Sequence, residues 1–122
     1  MNILLELEFS GLPPTVNHLY RTARTRGSFR YKTEAAKKWQ KGITALMLLS
    51  SKDIYYSGKA ELIIKFITKD NRRWDIDNRV KALQDCLSMA KIIKDDSQIQ
   101  VLHVSREKGE ETKTQVILKS LE

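Results

Sequence analysis

The chain opens on an alternation. Across ILLELEF, residues 3–9, Ile3, Leu5, Leu7 and Phe9 fall on one side and Leu4, Glu6 and Glu8 on the other. That period of two predicts a strand with one buried face. Gly11, Pro13 and Pro14 end it, because proline has no N–H for a ladder and glycine admits turn dihedrals. From Thr15 to Lys32 no period emerges, and the segment reads as a long, polar, basic loop of the kind that usually carries function. Thr33 has the chemistry of an N-cap, with Glu34 favourable in the first turn. Ala36, Trp39, Ile43, Leu46, Met47 and Ser50 follow in steps of three and four, which predicts an amphipathic helix over 33–50.

A loop over 51–58 leads to a second alternation, in which Ala60, Leu62, Ile64 and Phe66 share one side of a strand over 60–68. After the polar turn 69–74, Asp77 or Asn78 can cap a second helix running to about Ala90. Val80, Leu83, Leu87 and Ala90 form its apolar face, and Asn78, Lys81, Asp85 and Ser88 the opposite one. Lys94–Ser97 reads as a tight loop. Ile99, Val101 and His103 begin another alternating strand, and Val116 and Leu118 mark a last one, so 98–119 is predicted to be a hairpin. The order is strand, helix, strand, helix, strand, strand. It predicts an α/β domain of the mixed α+β kind, a small mixed sheet with two main helices, as a single compact domain over 1–122. Strand order is left open.

Composition narrows the function. The 122 residues carry a net charge of +7 with 41% hydrophobic residues, enough for one modest core. No apolar run approaches the ~20 residues of a membrane span, and the N-terminus lacks the basic region of a signal peptide. A single cysteine, Cys86, excludes an intramolecular disulfide and a cysteine-rich zinc site, and is expected to be an inert buried thiol. These features predict a soluble cytoplasmic protein with no membrane partner. The charge is uneven: all eight basic residues of the first fifty lie between Arg21 and Lys41, whereas Asp75, Asp77, Asp85, Asp95 and Asp96 crowd 75–96. A phosphate-binding face beside a metal-binding pocket would produce that asymmetry. So would solvated loops and helix faces.

Carboxylates gathered in one pocket repel one another and need a cation to stay ionised. Oxygen-only ligands suit Mg²⁺, with Mn²⁺ as a possible substitute, and in phosphodiester hydrolysis such a metal activates water and offsets transition-state charge. Lys81, one turn after Asp77, is placed to reach a phosphate. The alternative is structural: Asp77 caps the helix, Asp95 and Asp96 shape a turn, and Lys81 pairs with Asp85. The spacing also poses a problem of reach. A helix over 78–90 is ~18–20 Å long, so an acid beyond its end meets one at its start only if the chain folds back or a second subunit supplies it.

Three segments carry a resemblance: Leu12-Pro13-Pro14-Thr15-Val16-Asn17-His18-Leu19-Tyr20-Arg21; Arg72-Arg73-Trp74-Asp75-Ile76-Asp77-Asn78 with Lys81, Asp85 and Leu87; and Lys94-Asp95-Asp96-Ser97-Gln98-Ile99. In order and spacing they resemble the RusA family of Holliday-junction resolvases, endodeoxyribonucleases of bacteria and their phages. The resemblance implies that Asp75, Asp77 and Asp96 are the essential acids that bind Mg²⁺. It makes Asp95 a supporting acid, Lys81 a basic catalytic-site residue and Asn78 a lesser member of the motif. It further implies a homodimer that binds four-way junction DNA and makes paired symmetric nicks, in recombination and repair, with no small-molecule cofactor. Trp74 departs from the pattern, standing where the best-known member is basic.

Arg21, Arg24, Arg26 and Arg30, interleaved with Tyr20, Phe29 and Tyr31, are candidate DNA contacts, since arginines suit phosphates and aromatics stack on exposed bases. Lys37, Lys38 and Lys41 extend that field, and Arg72 and Arg73 join it beside the acids. Asn17 is expected to be structural, holding its turn by backbone hydrogen bonds. His18 and His103 have no ligand spacing. The competing reading is a noncatalytic nucleic-acid-binding module with structural aspartates; an assembly protein with an acidic docking patch is a more distant one.

Overall fold

In the computed structural model the described residues are 2–16, 20–24, 28–51 and 55–121, with the backbone alone for 20–24 and 28–31. Among the described residues the strands are β1 (Ile3–Ser10), β2 (Tyr20–Arg24), β3 (Ser28–Lys32), β4 (Ala60–Thr68), β5 (Ile99–Lys108) and β6 (Lys113–Ser120). The helices α1 (Glu34–Ser50) and α2 (Val80–Met89) accompany them, and 3₁₀ turns at Ile76–Arg79 and Asp96–Gln98 bracket α2. β1, β6, β4 and β5 form one sheet in that order, antiparallel except for the parallel β4–β5 pair. The mixed α+β class is as predicted. No helix among the described residues is long and apolar enough to cross a membrane.

Two expectations are corrected. Residues 15–32 are not all loop, because β2 and β3 pair antiparallel as a separate two-stranded sheet. Its residues have no apolar alternation to announce it. Residues 98–119 are not a hairpin: β5 and β6 flank β4 on opposite sides, and the turn between them crosses the end of β4. That crossing needs Gly109. Its N–H donates to the Thr68 carbonyl at 3.0 Å, and a Cβ there would overlap Cγ2 of Ile67. Ile67 is β-branched and cannot swing away freely. Gly109→Ala is therefore expected to cost about 1–3 kcal/mol by overpacking, read as a lower urea midpoint at unchanged slope.

One face of the sheet buries Leu5, Leu7, Leu62, Ile64, Phe66, Val116 and Leu118 against Ile43 and Met47 of α1 and Val80, Leu83 and Leu87 of α2. Thr33 caps α1 as expected, its Oγ1 accepting from the Ala36 N–H at 3.1 Å. Cys86 is fully buried and its thiol is pushed up to about 11, chiefly by desolvation. The opposite sheet face pairs Ile63 with Ile117 among charged residues and carries ion pairs such as Glu8–Lys113 at 2.9 Å. His103 lies on it, exposed, with Nε2 2.9 Å from Glu61.

Two bulges redirect side chains. Ile3 pairs with Lys119 and Leu5 with Leu118, so Leu4 is an extra residue and is buried while Ile3 is 41% exposed. On β5, Ile99 pairs with Ala60 but Val101 pairs with Glu61, so Gln100 is extra. Beyond it the inward positions are Leu102, Val104 and Arg106, opposite Leu62, Ile64 and Phe66.

Candidate active site

Asp75 and Asp77 sit where the chain, having left β4, turns into α2. Asp75 is extended (φ −81°, ψ 128°) and occupies the N-cap of the 3₁₀ turn, whose Asn78 N–H donates to the Asp75 carbonyl at 3.1 Å. The Asp75 side chain makes no capping bond. Asp77 lies within the turn and is not a cap, and among the described residues neither carboxylate has a hydrogen-bond or ion-pair partner. Both are exposed. Two carboxylates, two residues apart and unsatisfied among the described residues, are available to an external cation.

Their surroundings are cationic and tightly built. The Trp74 ring packs edge-on against Phe66, centroids 5.4 Å apart, and the guanidinium carbons of Arg106 and Arg79 lie over it at 4.4 and 4.8 Å. Arg79 Nη1 donates to the carbonyl of the buried Pro13 at 2.6 Å and so ties the 3₁₀ turn to the Pro13–Pro14 segment. Burial, and secondarily the charge of Arg106, holds the Arg79 pKa below its usual value. Arg72 and Arg73 are exposed next to the acids, and Arg72 Nε is 4.0 Å from Asp70.

Lys81 Nζ is 3.4 Å from Asp85, the i,i+4 pair foreseen as its structural alternative. Asp85 is also 4.0 Å from Lys32 Nζ, which donates to Gln40 at 2.8 Å and so ties β3 to both helices. Lys37 and Lys38 are exposed on α1, Lys37 3.4 Å from Glu34. Arg21 and Arg24 lie on β2 and Arg30 on β3 opposite Thr22. Arg26, Asn17 and His18 lie outside the described residues.

Asp95 and Asp96 stand apart from the first pair. Asp95 caps the second 3₁₀ turn, accepting from the Ser97 N–H at 3.2 Å, and the Ser97 side-chain and backbone hydrogen bonds hold its carboxyl below the usual carboxylate range. Gln98 closes the capping box. Its Oε1 accepts from the N–H groups of Lys94 and Asp95 at 2.7 and 3.0 Å, and its Nε2 donates to the carbonyls of Tyr56 and Gly58, both at 2.9 Å. Every polar site of that amide is used. Gln98→Glu is expected to lower stability by about 2–3 kcal/mol, because a carboxylate oxygen then faces two carbonyls; thermal melting against Gln98→Ala checks it.

The chain does not fold back along α2. Ile99 pairs with Ala60 at one end of β4, whereas Trp74, next to Asp75, packs on Phe66 near the other. Six residues of strand separate these levels, about 20 Å. Among the described residues, no three His, Cys, Asp or Glu side chains are placed to hold a metal ion. The pair Asp75 and Asp77 and the pair Asp95 and Asp96 thus stand near opposite ends of the β4–β5 pair.

Sequence reasoning passed over Arg79, Arg106 and Gln98. A charged residue at an inward strand position would have flagged Arg106, had the bulge at Gln100 been visible.

Comparison with known proteins gives two further findings. The model of the family described as endodeoxyribonuclease RusA matches residues 11–119. Over 94 residues the chain is 30% identical to the crossover junction endodeoxyribonuclease rusA of Enterobacteria phage HK97, covering 77% of this chain and 76% of that protein. Residues 11–119 take in Pro13 and Pro14, both aspartate pairs and the strands between them, and on that match the chain belongs to the RusA family of endodeoxyribonucleases.

Proposed function

We propose that this endodeoxyribonuclease nicks four-way DNA junctions in a divalent-metal-dependent reaction, as a homodimer whose two active sites each combine acids from both copies. The observation that carries the reading is the exposed pair Asp75 and Asp77, without a partner among the described residues and flanked by arginines. The donor set fits a hard cation: all-oxygen, with two carboxylates, which is what Mg²⁺ or Mn²⁺ takes beside waters and substrate phosphate. When bound, such a cation supplies charge against the phosphoryl oxygens and acidifies an attacking water.

The chain's own residues do the rest. Asp75 and Asp77 hold the cation side of the scissile phosphate. Arg72 and Arg73 engage neighbouring phosphates, and Lys81, released from Asp85 as DNA enters, contacts the scissile phosphate or leaving oxygen. Arg21, Arg24, Arg26, Arg30, Lys37 and Lys38 extend the DNA path. Asn78 holds the 3₁₀ turn and Asn17 its own loop. Asp95, engaged in capping, supports Asp96.

Asp96 comes from the second copy. Among the described residues β5 pairs with β4 alone, and its outer edge is open. A two-fold axis that sets two β5 edges antiparallel brings the Asp96 end of one copy to the Asp75 end of the other, and does so twice. Two such sites suit paired nicks in a two-fold-symmetric junction.

The test incubates labelled four-way junction and linear duplex of the same sequence with the protein and Mg²⁺, Mn²⁺ or chelator. The reading expects metal-dependent nicking confined largely to the junction. Equal cutting of both, or cutting in chelator, contradicts it. Junction binding without cleavage in any metal would instead favour a noncatalytic module.

A further inference from the structure

Between β4 and the 3₁₀ turn, residues 69–75 have no strand or helix to hold them, yet they carry Asp75. One side chain from β5 supplies the missing support. Arg106 donates from Nε to Thr68 Oγ1 at 3.0 Å, from Nη1 to the Arg72 carbonyl at 2.8 Å and from Nη2 to the Asp70 carbonyl at 3.3 Å. Its guanidinium carbon also lies 4.4 Å from the centroid of Trp74, the residue immediately before Asp75. One planar group thus ties two backbone carbonyls of the segment to the end of β4 and packs the Trp74 ring down onto Phe66. The guanidinium is consumed in doing so, and so is unlike the exposed Arg72 and Arg73 beside it.

We propose that Arg106 is a positioning residue for the candidate active site: by clamping the carbonyls of Asp70 and Arg72 and the ring of Trp74, it fixes where the Asp75 and Asp77 carboxylates stand. The inference rests on the metal-dependent reading above. A lysine cannot reproduce the clamp, since one ammonium cannot reach three acceptors set in a plane and stack on the indole as well. Thr68→Val removes only the Nε contact and leaves the packing volume nearly unchanged; Thr68 is buried.

The experiment compares wild type, Arg106→Lys and Thr68→Val as full chains. Mn²⁺ binding to DNA-free protein is followed through the magnetic resonance signal of the free ion, and single-turnover nicking of a four-way junction is measured alongside. Arg106→Lys is expected to raise the half-saturating Mn²⁺ concentration about 10-fold and to slow nicking about 10–100-fold, the cost typical of losing an outer partner of a metal site. Metal-free junction affinity stays within about twofold, since no phosphate contact is lost, and high Mn²⁺ restores part of the rate. Thr68→Val moves the same quantities the same way by a smaller factor, and decides the matter should the lysine variant fail to fold. Unchanged Mn²⁺ affinity and nicking in these variants overturns the inference. So does a loss confined to junction affinity with a shallower salt slope, which makes Arg106 a DNA contact. A wild type that neither binds Mn²⁺ nor nicks overturns the underlying reading, and is recognised before any variant is compared.

Discussion

Asp77→Asn is expected to lower junction nicking at least about 10³-fold while leaving the fold intact, and Asp75→Asn to do the same. The magnitude follows from charge: a cation stripped of one of two carboxylates loses occupancy and position, and about 4 kcal/mol of transition-state stabilisation is a factor of ~10³ in rate. The fold is spared because neither side chain has a partner among the described residues. Asp75 makes no capping bond, Asp77 is not a cap, and both are exposed. Binding of the junction in chelator is retained or tightened, since one negative charge facing phosphates has been removed. Single-turnover cleavage and a gel-shift titration on the same preparation check both halves. The structural alternative expects the reverse, because asparagine caps a helix as well as aspartate does and would leave turnover untouched.

Asp96→Asn is expected to carry the second large effect, a loss of nicking of the same order, although Ile99, which follows Asp96, and Trp74, which precedes Asp77, meet β4 at levels about 20 Å apart. Asp95→Asn is expected to be mild by comparison. Asparagine at that position can still accept from the Ser97 N–H and keep the capping box that Gln98 completes. Two adjacent aspartates thereby separate into a structural acid and an acid of the reaction. Cleavage rate and melting temperature measured together distinguish them.

Much of this arrangement was legible in the chain, for identifiable reasons. β4 is found from its alternation because Leu62, Ile64 and Phe66 all point into the core. α1 is found from Thr33 and its three-and-four spacing, and the capping bond is present. The apolar face of α2 is found too, although the turn before it is 3₁₀ and takes Asp77 out of the capping role. What was hidden is non-local. Period-two reading carries Ile99 on to Val101 and His103, but the extra Gln100 reverses the faces and turns Arg106 inward, where it meets the 69–75 segment. The antiparallel hairpin expected of β5 and β6 failed because adjacency in sequence says nothing of β4 inserting between them. β2 and β3 escaped because a two-stranded ribbon of mixed polar residues has no hydrophobic period to detect. Of the site, the acids were legible and their separation was only suspected. Whether residues after Ala90 return along α2 is decided by the pairing of Ile99 with Ala60, which no local pattern encodes.

Mixing Asp77→Asn protein with Asp96→Asn protein, unfolded together and refolded, tests the shared-site account most directly. Each variant alone has two broken sites and is inactive. In a mixed dimer with acids contributed across the two-fold axis, one site receives both substitutions and the other receives neither. About half of randomly assorted dimers are mixed, each with one working site, so nicking of a four-way junction in Mg²⁺ is predicted to return to about a quarter of the wild-type level, as single nicks in place of pairs. No recovery, with wild type treated the same way fully active, would contradict the account and return Asp75, Asp77 and Asp96 to separate roles within one chain.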